Sequence, residues 1–133
     1  MANNLKYAVA LKNARLNVAT TQLSTTAVLN IYTGSQPTNP DTGLSSNTLL
    51  ASLALSNPIA PGASGGVLTL STITSATAGN TGTATWGSLL TGGGTRIIDF
   101  TVGTSGCDMT IDNTSINSGQ TVSCSSLTIT SGN

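Results

Sequence analysis

The sequence predicts a mainly β protein, an antiparallel β-sandwich or flattened barrel of about seven strands with one N-terminal α-helix. The first observation behind this prediction is a series of short β-branched runs between residues 27 and 130, separated by Gly, Asn and Ser clusters. Such regular spacing is typical of antiparallel sandwiches and barrels. The second observation is that residues 1–24 contain neither Gly nor Pro. We therefore expect one domain over 1–133, with a helical segment at 1–24 and a β-sandwich at 27–130.

The helix is predicted over residues 4–22, with Asn3 or Asn4 as its N-cap. The β-branched residues within 18–21 predict that the helix weakens toward its end. Leu11 lies off the main apolar face and gives the helix a second apolar patch. Two roles are open for the helix, because it can cover one end of the sheet or contact a neighbouring subunit. Its main apolar face is formed by residues at helical spacing, namely Leu5, Val9, Leu16 and Leu23, with Ala8, Ala19 and the alkyl stem of Lys12 between them.

The strands are predicted from apolar alternation and β-branched content. Glycines 92–94 predict the tip of a hairpin. A turn over 113–119 is expected to join the last two strands. Between residues 124 and 127 the apolar positions change from one face of the strand to the other, which predicts a bulge at 125–126. Trp86, the single tryptophan, is assigned to the core. The seven predicted strands are 27–33, 49–55, 67–73, 81–90, 96–102, 108–111 and 121–130.

A long polar segment separates the first two strands. It covers residues 34–47 and holds Pro37 and Pro40. At this length a loop inside a compact domain is usually functional or a contact element. After the second strand, 57–58 and 61–62 are Asn-Pro and Pro-Gly pairs, which predict the end of that strand.

Charged residues are scarce and unevenly placed. They make up 6% of the chain, against about 25% in ordinary domains, and 41 Ser and Thr residues supply most of the polarity. Lys6, Lys12 and Arg15 come first, whereas the four Asp residues all follow residue 40. The basic segment is either a solvated helix face or a docking element for an acidic neighbour. With a net charge of zero, the chain has no excess of basic residues for binding nucleic acid, and electrostatic repulsion between copies is weak.

No catalytic constellation can be assembled, so we expect a protein without enzymatic activity or cofactor. The chain has no His and no Glu, which removes the commonest general base and metal ligand. Asp108 and Asp112 would lie about 13 Å apart along a strand, too far for a carboxylate pair, and are expected to face solvent. The glycine runs lack the Lys and Ser or Thr of a phosphate loop.

The cysteines and the lengths of the apolar runs indicate the cellular compartment in which the chain folds. Cys107 and Cys124 could face each other across the expected last hairpin, but cytosolic folding favours two small buried hydrophobes over a disulfide. The cations of the first segment interrupt any signal-peptide core, and no run has the roughly 18 apolar residues of a membrane span. We expect synthesis in the cytoplasm and no membrane partner.

Short motifs are spread over nearly the whole chain. They are Leu11-Lys-Asn-Ala-Arg-Leu16, Leu29-Asn-Ile-Tyr-Thr-Gly-Ser-Gln-Pro37, Asn47-Thr-Leu-Leu-Ala51, Ser64-Gly-Gly-Val-Leu-Thr-Leu70, Gly82-Thr-Ala-Thr-Trp86, Gly103-Thr-Ser-Gly106, Gly119-Gln-Thr-Val122 and Leu127-Thr-Ile-Thr130. Together these motifs resemble a family of small virion structural proteins encoded by tailed bacteriophages and prophages. All of them are turn and strand patterns, so they identify kinship better than role.

The resemblance implies a capsid decoration (cement) protein on the virion surface, made in the bacterial host cytoplasm. Its implied partners are the major capsid protein and further copies of itself. A head–tail adaptor and a tail-fibre or receptor-binding module are the alternatives. From the residues themselves, the candidate partner contacts are Lys6, Lys12, Arg15, Tyr32, Pro37 and Pro40.

Overall fold

The structure is a computed structural model, which describes residues 6–23, 26–56, 59–71, 73–124 and 127–130. Within these ranges the protein is mainly β with one helix, as predicted, but it has eleven strands rather than about seven. The expected N-cap residues Asn3 and Asn4, Leu5 of the apolar face, the break at 57–58 and the bulge at 125–126 lie outside them. The elements are α1 (Val9–Leu23), β1 (Val28–Tyr32), β2 (Leu49–Ala54), β3 (Val67–Thr69), β4 (Ala76–Thr77), β5 (Gly82–Thr83), β6 (Trp86–Leu90), β7 (Arg96–Gly103), β8 (Met109–Thr110), β9 (Ser115–Ile116), β10 (Thr121–Val122) and β11 (Thr128–Thr130).

A five-stranded sheet, in the order β2-β1-β6-β7-β8, forms the framework. All its neighbours are antiparallel except β7 and β8, which run parallel. The remaining strands form three antiparallel pairs, β10 with β4, β11 with β3, and β5 with β9. Two isolated bridges extend this framework, from Leu55, just after β2, to Ile73, and from Met109 of β8 to Leu127, just before β11. The arrangement agrees with the predicted sandwich or flattened barrel.

One face of the five-stranded sheet forms the centre of the core. Leu29 of β1, Leu53 of β2 and Leu89 of β6 are fully buried there. Alternation along β1 predicts this, because Leu29 and Ile31 point to the same side. Leu16 and Leu23 of α1 join the same cluster. The helix is therefore fixed to the core by two leucines, seven residues apart.

The helix differs from the prediction at both ends. It begins at Val9 rather than at residue 4, and it continues to Leu23 without weakening at 18–21. Burial of Leu16 and Leu23 explains the second difference, because packing outweighs the low helix propensity of β-branched residues. At the start, the Arg15 guanidinium lies 4.9 Å from the Tyr7 ring. In a continuous helix, residues 7 and 15 would lie about 12 Å apart along the axis. The contact therefore goes with a non-helical path before Val9.

The prediction for the first helical turn also needs correction. Helical spacing assigns Val9 to the packed face, yet its side chain is 52% exposed. All residues from Val9 to Leu11 are exposed, so this turn projects beyond the β body.

Among the strands, the long regular ones agree with the prediction and the short ones do not. The predicted strand 81–90 divides into β5 and β6, and 121–130 divides into β10 and β11. β9 lies within the predicted turn over 113–119, and β4 lies between two predicted strands. The hairpin at 92–94 is confirmed, with a positive φ of 93° at Gly94.

The expected hairpin around 113–119 is wrong. The strands on either side of this turn do not pair with each other. β8 pairs with β7, β9 pairs with β5, and β10 pairs with β4. Cys107 and Cys124 are not joined by a disulfide. Cys124 is buried in the core and Cys107 is half-buried.

The side of β7 that faces away from β6 carries a local polar contact. The Thr101 N–H and hydroxyl both donate to Oδ2 of Asp108, at 3.0 and 3.1 Å. The Asp108 N–H donates back to the Thr101 hydroxyl at 3.0 Å. Among the described strands, none pairs with this side of β7 before Val102. Asp108, predicted to be solvent-facing, is exposed and occupies this edge.

No helix of the described part of the chain is long and apolar enough to cross a membrane.

Candidate contact surface

The described residues contain no group of three or more His, Cys, Asp or Glu side chains that could hold a metal ion. A recess of about 530 Å³ lies along the loop after β1. The residues that line it lie within 34–38, 42–43 and 45–47, and none of them has a charged or aromatic side chain. The remaining candidates are surfaces that could bind another protein.

The outward face of α1 is the first such surface. Leu11, Ala14 and Val18 follow one another at intervals of three and four residues, so they lie along one side of the helix. Leu11 is 47% exposed and Val18 is 55% exposed. They lie opposite the buried side of Leu16 and Leu23. We call Leu11, Ala14 and Val18 the helix stripe.

Two asparagines hold the helix in a defined position on the β body. The Asn17 Oδ1 accepts a hydrogen bond from the Ala63 N–H at 2.9 Å. One turn earlier, the Asn13 Oδ1 accepts from the Gly66 N–H, also at 2.9 Å. Both donors belong to the turn before β3. Together with the buried leucines, these bonds present the helix stripe on a fixed element rather than on a loose arm.

One basic side chain, Arg15, borders the helix stripe, because it lies four residues after Leu11 and three before Val18. Lys6 and Arg15 are exposed, and Lys12 is half-buried. The stem of Lys12 passes over Gly66, where a Cβ would lie 3.3 Å from the Lys12 Cδ. The helix contains no acidic residue. The charge beside the stripe is therefore positive.

The loop at 34–47, which we call the contact loop, is the second surface. Asn39 closes one turn of it, because its Oδ1 accepts from the N–H groups of Asp41 and Thr42. Asn47 closes the base, where Nδ2 donates to the Thr33 carbonyl at 2.7 Å and to the Ser35 carbonyl at 3.1 Å. Its Oδ1 accepts from the Ser45 N–H at 3.0 Å. Between these points Leu44 is 48% exposed, so a rigid polar loop displays one large apolar side chain.

Beneath the contact loop, the second face of the sheet holds a buried stack. The Tyr32 and Trp86 rings stack with centroids 4.6 Å apart, and the Arg96 guanidinium lies 5.6 Å from the Trp86 ring centre. Arg96 Nη1 donates to Asp99 Oδ2 at 2.8 Å, and Nη2 donates to the Thr42 carbonyl. Trp86 Nε1 donates to the Thr33 carbonyl at 3.1 Å. Arg96 thus joins the sheet to the contact loop.

The ion pair in this stack is shielded from solvent. The side chains of Arg96 and Asp99 are 9% and 2% exposed. Asp99 Oδ1 and the Oδ1 of nearby Asn30 have no hydrogen-bond partner among the described residues. The register aligns Asn30 with Ser88 and Ser88 with Asp99, so all three lie on this face. Asp99 therefore depends on Arg96 for the compensation of its charge.

Changing Asn47 to Asp is expected to loosen the contact loop. The substitution replaces the Nδ2 donor with an oxygen that faces two carbonyl oxygens, which should lower the free energy of unfolding by about 1–3 kcal/mol. Amide hydrogen exchange within 34–47 should accelerate more than exchange in β6. Asn117→Asp is the matched control, because Asn117 is exposed, and its effect should stay within about 0.5 kcal/mol. Equal effects at both sites would contradict this assignment for Asn47.

The candidate contacts from sequence fall into three groups. Lys6 and Arg15 are exposed, and Lys12, Pro37 and Pro40 are half-buried. Tyr32 is 4% exposed, so its ring is not available to a partner. Its place under Trp86 explains this, because the two rings cover each other. The structure groups Lys12 and Arg15 on α1, and Pro37 and Pro40 in the contact loop.

Sequence reasoning missed three side chains of these surfaces. Val18 is predicted only as a weak helix former, although its spacing of seven residues from Leu11 indicates a shared side. Leu44 is the only large apolar residue of the contact loop, which was a usable signal. Arg96 gives no signal beyond its distance from the other cations.

Comparison with known proteins adds no relative. The chain matches no family model, no curated protein and no solved structure. A function for this chain must therefore be argued from its motifs and from the geometry of these surfaces.

Proposed function

We propose that this chain is a non-enzymatic virion structural protein of a tailed bacteriophage, a decoration protein that binds the outer surface of the capsid lattice. The observation that carries the proposal is the helix stripe, an exposed apolar surface that is fixed on a β body. The sequence motifs between Leu11 and Thr130 support the same class.

The composition suits this role. Bringing charged groups into an interface requires the removal of their water, which opposes binding. A surface with 41 Ser and Thr and 6% charged residues largely avoids this penalty. Identical contacts repeated over a lattice would strengthen one another through multivalency. Self-association on the capsid is part of the proposal, since neighbouring sites bring copies together.

The test is the number of copies in purified particles. Phage particles from a strain carrying the gene should contain hundreds of copies on the head, and particles from a deletion strain should rebind the purified protein. Particles that never contain the protein, or turnover of a small molecule by the isolated chain, would overturn the proposal.

The copy number also separates the alternatives. A head–tail adaptor would be present in about a dozen copies, as a closed ring, and a tail-fibre module in fewer. A glycan-binding module would need exposed aromatic rings, whereas Tyr32 and Trp86 are buried. Tyr7 is half-buried beside Arg15. These positions make a receptor-binding module the weaker alternative.

A further inference from the structure

We infer that the helix stripe docks onto an apolar strip of the coat protein that is bordered by carboxylates. This inference rests on the proposed function and names the chemistry of the partner surface. Two properties carry it, the absence of a cover over the stripe among the described residues and the sign of the charges around it.

The stripe has no structural task within the described chain. Leu16 and Leu23 already attach the helix to the core, and Asn13 and Asn17 fix its position. Leu11 and Val18 stay about half exposed, at 47% and 55%. Their apolar surface would gain free energy on burial against another apolar surface. Because the helix is already ordered, docking would require little further ordering.

The charges indicate what borders the partner surface. Arg96 is neutralised within the chain by Asp99. The other cations, Lys6, Lys12 and Arg15, lie on α1 or just before it, with no acidic residue in the helix. A complementary surface therefore carries carboxylates around an apolar centre, since matched charges guide association and suppress wrong partners.

The same charges argue against a second copy as the occupant. Pairing the stripe with its own copy would bring the Arg15 groups of both copies into one interface, where like charges repel. The exposed carboxylates of a copy are single residues, Asp41, Asp108 and Asp112, and Asp108 is already bonded to Thr101. They do not border the apolar stripe on α1. We therefore assign the coat protein as the partner.

The test uses heads from a deletion strain and the full-length purified protein. Val18→Asp should weaken binding to these heads at least about tenfold, because it places a carboxylate against an apolar surface that is itself bordered by carboxylates. Val9→Asp is the matched control, because Val9 is equally exposed at 52% but lies off the stripe, and it should bind like the wild type. Circular dichroism of both variants should match the wild type, since neither side chain is buried.

The charge is tested separately at Arg15. Arg15→Glu should weaken binding severalfold and reduce its salt dependence, whereas Arg15→Lys should retain most of the affinity. A photo-crosslinking residue in place of Val18 should link to coat protein, next to Asp or Glu residues.

The outcomes distinguish the two proposals. Failure of the wild type to bind heads would overturn the proposed function. Binding by the wild type with equal effects of Val18→Asp and Val9→Asp, or crosslinks to another copy of this chain, would overturn the docking surface alone.

Discussion

Replacing Arg96 with Leu is expected to lower the free energy of unfolding by about 3–5 kcal/mol. The substitution leaves the Asp99 carboxylate, which is 2% exposed, without its ionic partner. It also removes the donor to the Thr42 carbonyl and the cation above the Trp86 ring. Urea unfolding monitored by the fluorescence of Trp86, the single tryptophan, measures the loss.

The second partner provides the control for this prediction. Combining Arg96→Leu with Asp99→Leu should recover most of the stability, because no buried charge then remains unpaired. The single variant should also raise hydrogen exchange in the contact loop, where Thr42 loses its bond. A single variant as stable as the wild type would contradict the role assigned to the buried pair.

Gly87→Ala is the second substitution with a large expected effect, about 3 kcal/mol of destabilisation. A Cβ at Gly87 would lie 2.7 Å from Cε2 of Phe100 and 2.8 Å from the carbonyl oxygen of Asn30. The Phe100 ring is held in the core, and the Asn30 carbonyl belongs to β1, beside β6. Neither can retreat without disturbing the centre of the sheet. Thermal or urea unfolding gives the measurement.

Gly43→Ala is the matched control for Gly87. A Cβ at Gly43 would meet no atom within 4 Å, so stability should change by less than about 0.5 kcal/mol. The double variant Gly87→Ala with Phe100→Leu tests which neighbour matters. Partial recovery identifies the ring as the main obstacle, and no recovery identifies the β1 carbonyl. Similar losses for Gly43→Ala and Gly87→Ala would contradict the steric explanation.

The sequence was informative where a pattern is long and regular. Alternation over 27–33 located β1 because Leu29 and Ile31 both enter the core. The two-residue strands β4 and β9 could not be found in this way. Each exists through one pairing with a distant segment, and two residues carry no periodicity. The parallel pairing of β7 with β8 is likewise set by tertiary contacts rather than by the local sequence.

The buried ion pair shows a different limit. In a regular strand Arg96 and Asp99 would point to opposite faces, because side chains alternate. An irregularity beside Leu90 shifts the register, so that Leu90 pairs with Arg96 while Ser88 pairs with Asp99. This shift places both charges on one face, where they meet. The spacing of the two residues in the sequence could not reveal that meeting.

The contact between Thr101 and Asp108 has a consequence for concentrated solutions. A chain with zero net charge has no long-range repulsion to keep molecules apart. Exposed strand edges in such a chain invite stacking into fibrils. The Asp108 carboxylate occupies the outward Thr101 amide and adds a negative charge to the rim of the sheet. One aspartate thus acts as a gatekeeper against edge-to-edge aggregation, at a place where crowded copies would otherwise join.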